Sequence, residues 1–143
     1  MTARLTSASA LRMAFPLPAP MRRALDLAAE AAAEGEVPVG AVITQGERIV
    51  AEARNSMRGL LDPTAHAEMV AIRVAAEALG QARLDGCTLW VTLEPCAMCA
   101  AAASIARLDA VRYAAEDPKA GVSSTAPGSS PSPPAIIVPT SSA

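Results

Sequence analysis

Aromatic residues are almost missing from this sequence: Phe15, Trp90 and Tyr113 are the only three in 143 residues. A core must therefore be built from aliphatic side chains set close together. Histidine is rarer still, with His66 alone. Cysteine is scarce as well. Cys87, Cys96 and Cys99 are too few, and odd in number, for a disulfide framework. They suit a reducing, cytoplasmic setting, where paired cysteines bind metal or carry redox chemistry. No apolar run approaches the roughly 20 residues that span a bilayer, so no membrane partner is expected. Basic charge is not in excess either. The formal net charge of −2 excludes an overall cationic footprint for nucleic acid and leaves only local basic patches.

Charge is also missing from one end. Every Lys, Arg, Asp and Glu lies at or before Lys119, and Ala120–Ala143 is mostly Ser, Pro, Ala and Thr. Such a segment cannot bury enough apolar area to offset its ordering entropy, which predicts an uncharged, disordered tail over 120–143. Within it, "AIIV" at Ala135–Val138 is the one piece suited to docking. At the other end, residues 1–20 read as a flexible leader. "MTARLTSASALR" has two arginines and no acid, but no long apolar stretch follows, so a secretory signal is not expected. An upstream start, with Met13 the true one, gives the same pattern.

Between these ends the pattern is regular. Met21–Glu34 reads as a helix stopped by Gly35, and Val37–Ile43 as a buried strand. A turn glycine in "TQGE" leads to a second strand from Arg48, and Asn55 opens a polar loop to Thr64. Thr64 can cap a helix whose apolar face continues through Met69, Ile72, Ala76 and Leu79 to Gly80. Cys87–Leu93 is a strand, Pro95 suits the first position of a helix reaching about Ala106, and Ala110–Ala115 is one more strand. The alternation implies an α/β sandwich with a mostly parallel sheet.

Two short motifs carry chemistry: "HAE" at His66–Glu68, and "PCAMC" at Pro95–Cys99. A catalytic zinc needs three protein ligands and one open position for water. His66, Cys96 and Cys99 supply three, and two thiolates at a helix start balance the metal's charge. Glu68 would then move protons between water, a ring nitrogen and a leaving amine. Blander readings remain. A lone CxxC can be a redox pair, and a lone histidine can be a satisfied side chain. A closed structural site needs a fourth ligand. Cys87 is the candidate, but it sits at the far end of its strand, roughly 20 Å away at strand rise, and reads as a core residue.

H-x-E followed by P-C-x-x-C is the signature of the zinc nucleobase deaminases. With "GEVPVGAVI" (Gly35–Ile43), "DPTAHAEM" (Asp62–Met69), "TLEPCAMC" (Thr92–Cys99) and "EDPKAG" (Glu116–Gly121), the chain resembles the tRNA-specific adenosine deaminase family of that superfamily over about 21–121. The resemblance implies a three-layer α/β/α sandwich with a mixed, five-stranded sheet, a homodimer, and a deaminase domain over 21–119. It implies one Zn²⁺ held by His66, Cys96 and Cys99, with Glu68 as proton shuttle. It implies conversion of adenosine to inosine at the wobble position of a tRNA anticodon loop, an arginine tRNA being expected. Asn55, Ala67 and Val37 match positions that hold the base, and Asp117 and Lys119 match positions beside the nucleic-acid backbone. Two alternatives stay open: a deaminase of a free base or nucleoside such as guanine or cytosine, and a chain no longer active. The departure that motivates the second is the tail. It stands where the family has a last strand and a C-terminal helix, both then expected to be missing, as a truncation or a base shift near the codons for Lys119–Gly121 would leave it.

Overall fold

A computed structural model describes residues 17–117 and 136–139. Its elements are α1 (Ala19–Ala33), β1 (Gly40–Gln45), β2 (Arg48–Arg54), α2 (Ala67–Leu79), β3 (Cys87–Leu93), α3 (Ala97–Ile105), β4 (Ala110–Ala115) and β5 (Ile136–Pro139). The strands form one sheet in the order β2-β1-β3-β4-β5. β1 runs antiparallel to both β2 and β3, whereas β3–β4 and β4–β5 are parallel. The sheet is therefore mixed, not mostly parallel. The tight turn at Gly46 makes β1 and β2 a hairpin, and only the later strands are joined by crossover connections.

Strand alternation assigns the two sheet faces. Ala41, Ile43, Leu89, Val91, Val111 and Tyr113 point one way and pack with Ala67, Ala71 and Ala75 of α2 and Ala103 of α3. Val42 points the other way and packs with Met21, Ala24 and Leu27 of α1, flanked by Trp90 and Ala114. This gives the three-layer α/β/α sandwich. Alanine at every fourth position of α2 sets that helix close to the sheet, which is how a core forms with so few aromatic rings. Trp90 lies on the α1 face. Its Nε1–H donates to Thr44 Oγ1 at 2.9 Å, and the Arg112 guanidinium stacks 5.5 Å from its ring centre.

The expectation of a missing last strand is corrected. Ile136–Pro139 pairs in parallel with β4, in register from Ala110↔Ile136 to Tyr113↔Pro139. Strand-forming isoleucines and valine meet an otherwise open edge of β4, and main-chain pairing needs no charge. These four residues also depart from the disordered tail expected over 120–143. The rest of that tail, the C-terminal helix position, and residues 1–16 of the leader lie outside the described residues.

Two helix starts also differ from expectation. Thr64 is not the cap of α2. It bonds to Asp62 Oδ1 through both its N–H and its hydroxyl, and His66 takes the N-cap. Pro95 likewise precedes α3 rather than opening it, because Cys96 takes the N-cap. Gly80 closes α2 as expected, in a left-handed conformation at φ 66°.

Gly40 is where α1 meets the sheet. A Cβ there would stand 2.0 Å from the Ala24 carbonyl oxygen and 2.7 Å from the Ala28 nitrogen. Both obstacles are backbone and cannot rotate aside. We expect Gly40→Ala to destabilise the fold by about 3 kcal/mol or more and to lower the melting temperature by more than about 10 °C, measured by circular dichroism. A melting temperature within a degree or two of the parent would refute this account of the α1–sheet contact.

Candidate active site

Sheet topology brings the two motifs together. β2 and β3 point the same way because each is antiparallel to β1 between them. The segments leaving them therefore emerge at one sheet edge. There α2 begins at His66 and α3 begins at Cys96, both as N-cap residues with extended backbone, ψ 152° and 173°. Neither side chain makes a capping hydrogen bond to its own helix, which leaves both available to face the gap. Cys99, three residues on, faces the same space from the first turn of α3.

The sulfur atoms of Cys96 and Cys99 lie 3.7 and 3.5 Å from His66 Nδ1. A tetrahedral zinc with Zn–S of about 2.3 Å and Zn–N of about 2.0–2.1 Å sets its sulfur and nitrogen ligands about 3.5–3.6 Å apart. The three side chains therefore fit zinc as they stand. All three ligand atoms lie within 4.8 Å of one another, and this is the one such group among the described residues. Cys87 is buried at the start of β3 and packs in the core cluster, as expected. No fourth thiolate or imidazole closes the group, so it has the form of a catalytic rather than a structural site.

The electrostatics also call for a cation. The Cys99 thiol donates to Cys96, and the N–H groups of Cys99 and Met98 face the same sulfur. Together they bring the Cys96 pKa down to about 5. The pKa of Cys99 is pushed far up, by that same bond to Cys96 and by burial. Without metal the pair thus shares one proton. Glu68 is buried at 4 % exposure in the first turn of α2, beside both sulfurs. Burial pushes its carboxyl up, partly offset by its own backbone N–H.

Beside the triad is an open cavity of about 210 Å³, lined by His66, Cys96, Glu68, Val37, Val39, Asn55, Met57, Leu93, Glu94 and Asp117. It lies below the roughly 300–1,000 Å³ of pockets that take drug-sized ligands, and so suits a single ring system. Of the residues expected from sequence, Val37 stands half exposed at the rim, Asn55 is buried in the wall, and Asp117 closes one side. Asn55 is fixed by its N–H to the Val39 carbonyl at 3.0 Å. Ala67 is fully buried between His66 and Glu68 and is not part of the lining. Lys119 lies outside the described residues.

Glu94 is a lining residue that the motif reading passed over. It is 3 % exposed, its N–H donates to the Ala115 carbonyl, and its Oε1 accepts the Asp117 N–H at 3.1 Å. It ties the exit of β4 to the end of β3 and so places Asp117 in the cavity wall. An acid buried just before a proline and a metal-ligand pair was the available signal, since a buried acid needs partners.

Comparison with known proteins agrees with this geometry. Residues 18–115 match the family model of the cytidine and deoxycytidylate deaminase zinc-binding region. The chain is 54% identical over 101 residues to a tRNA-specific adenosine deaminase of Agrobacterium fabrum, covering 71% of this chain and 66% of that one, just under two thirds of its length. A structure from work on A-to-I editing by tRNA:A34 deaminases at the wobble position of transfer RNA superposes with a TM-score of 0.76 at 46% identity, covering 84% of this chain and 90% of that chain. The guanine deaminase of Bacillus subtilis superposes with a TM-score of 0.66 at 47% identity, covering 68% and 62%.

Zinc must displace the shared proton, so its affinity depends on pH with a definite sign. Above about pH 5 the thiols release one proton, that of Cys99, and affinity weakens about tenfold per unit of falling pH. Below the Cys96 pKa of about 5 both thiols are protonated, and their share of the slope doubles. Competition with a zinc-responsive chelator between pH 4.5 and 8 measures this. A pH-independent affinity would rule out the thiolate pair as ligands. Cys87→Ala is expected to keep one zinc per chain, and Cys99→Ala to lose it.

Proposed function

The chain belongs to the cytidine and deoxycytidylate deaminase zinc-binding family, and we propose that it hydrolyses adenosine to inosine at the wobble position of a tRNA anticodon loop. The observation that carries this reading is the His66–Cys96–Cys99 group opening onto a base-sized cavity that also holds Glu68 and Asn55. Extent of similarity supports tRNA over a free base. At nearly equal identity, the tRNA:A34 deaminase structure matches 84% of this chain and the guanine deaminase 68%. The acidic net charge is no obstacle, because a flipped base needs only local contacts outside the cavity.

In this reading His66, Cys96 and Cys99 would hold a zinc ion, which when bound would supply a water of lowered pKa as nucleophile near neutral pH. Asn55 orients the adenine through its amide and Val37 packs against the ring, whereas Ala67, buried away from the cavity, has no contact to make with the base. Glu68 takes one proton from the attacking water and passes it to a ring nitrogen as the carbon–oxygen bond forms, then takes the second proton from the hydroxyl now on that carbon and delivers it to the amine as the carbon–nitrogen bond breaks. The amine departs as ammonia, because amide ion is too basic to leave. Burial suits Glu68 to the task, since a raised pKa brings a carboxyl nearer the working pH, where it can both take and give a proton. Asp117, and Lys119 beyond it, flank the ribose-phosphate backbone. An arginine tRNA is the expected partner and the cytoplasm the expected compartment. No helix among the described residues is long and apolar enough to cross a membrane. A homodimer is part of the proposal. Ala97, Ala101 and Ile105 leave an exposed apolar row along α3, with Ile105 79 % exposed.

Ammonia release from an arginine tRNA carrying A34, set beside free guanine, decides the substrate. Turnover of the tRNA alone is expected; turnover of guanine alone would establish the free-base reading. Glu68→Gln should keep its zinc and lose about 10²–10⁴-fold in turnover. It should also melt higher than the parent when both are stripped of metal. The folded state binds the Glu68 proton more tightly than the unfolded chain, so the native carboxyl costs stability as pH rises above its ordinary 4.5, a cost the amide removes. Full activity in the variant would overturn the shuttle. Ile105→Glu should shift sedimentation from dimer to monomer, and an unchanged dimer would locate the interface elsewhere.

A further inference from the structure

We propose that Glu36 is a positioning residue for the base cavity, holding together the two chain segments that form its mouth. One segment is the turn from α1 into β1, which carries Val37 and Val39. The other is the loop after β2, which carries Asn55 and Met57. All four line the cavity.

Glu36 joins these segments from outside the cavity. Its Oε2 accepts the N–H groups of Arg58 and Gly59, each at 2.9 Å, and its Oε1 approaches the Arg58 N–H at 3.2 Å. The Arg58 guanidinium returns the contact by donating to the Gly35 carbonyl at 3.2 Å. The loop is already pinned at its base, where the Ser56 N–H donates to the Ala65 carbonyl, and folded on itself, where the Asp62 N–H donates to the Met57 carbonyl. The two segments already meet where the Asn55 N–H donates to the Val39 carbonyl; what remains to be fixed is the outer part of the loop at Arg58 and Gly59, and the Glu36 carboxylate spans that gap. Hydrogen bonds to a charged acceptor are stronger than neutral ones, and two backbone donors on one carboxylate define both reach and direction.

A Cβ at Gly59 would stand 3.8 Å from Glu36 Oε2, an ordinary contact, so the bracket rests on the backbone N–H groups and not on glycine at that position. Leu61, in the same loop, is held at φ 51° and is 90 % exposed. A β-carbon residue in that conformation persists only when its surroundings fix it, and it has little packing of its own. The bracket at Arg58 and Gly59 is a nearby restraint of the required kind.

The choice of substrate rests on the deaminase reading, but the bracket itself does not, and two measurements keep them apart. Amide hydrogen exchange of the zinc-loaded protein needs no substrate. Residues 56–61 are expected to exchange at least tenfold faster in Glu36→Ala than in the parent, with α2 and α3 unchanged. In kinetics on a stem-loop carrying A34, the same variant should raise KM about tenfold with kcat within twofold, and Glu36→Gln, which keeps one acceptor oxygen, should fall between. Unchanged exchange in 56–61 would overturn the proposal, as would equal losses in kcat and zinc content. If the parent fails to turn over the stem-loop while exchange responds as expected, the bracket stands and the substrate assignment falls.

Discussion

The chain depends on one constraint: two helix starts must meet at one edge of the sheet while lying far apart in sequence. The hairpin achieves this. By folding back between β2 and β3, β1 makes those strands co-directional without making them neighbours. The gap left between their exits is as wide as one strand, and His66 and the cysteine pair face each other across it. An all-parallel arrangement of the same helices would also open at one edge, but without β1 in the middle the imidazole and the sulfurs would approach from adjacent strands. The Val39 carbonyl would then not be placed to fix Asn55 in the wall.

The site is costly to the fold that holds it. A buried carboxyl, a lowered thiol and a raised one crowd into a few ångströms, and two N-cap positions go to residues chosen for coordination rather than for capping. The remainder of the domain compensates through tight packing. Alanine stripes on α2 and α3 bring helices close to the sheet, and α1 rests on a strand that starts with glycine because a methyl group would meet main chain. Ion pairs such as Arg23–Glu52 and Arg54–Glu34 tie α1 to β2 at the surface, where such pairs contribute little each.

Much of this was legible in the sequence. β3 and β4 were readable to the residue because short β-rich runs were bounded by turn signals, and the triad was readable because a single imidazole left no choice of ligand. Sheet direction was not readable from alternation alone. The hairpin at "TQGE" is legible, but its effect on the central strands follows only from the insertion of β1 between β2 and β3. The helix starts differ from expectation for another reason. Thr64 and Pro95 have strong helix-start propensities, yet Thr64 was engaged by Asp62, and the chain began each helix at a residue whose side chain was needed elsewhere. β5 was the weakest signal, a four-residue apolar run in an uncharged tail, and the unfilled edge of β4 gave it a partner that composition could not reveal.

The rarity of ring-bearing residues has a practical consequence. His66 is the only imidazole, and it sits among the sulfurs; Trp90 is the only indole, and it sits on the opposite side of the sheet between Thr44 and Arg112. A proton resonance from the first and fluorescence from the second are each single-site reporters without any labelling. Metal occupancy and integrity of the α1 layer can thus be followed as two separate signals in one unmodified sample.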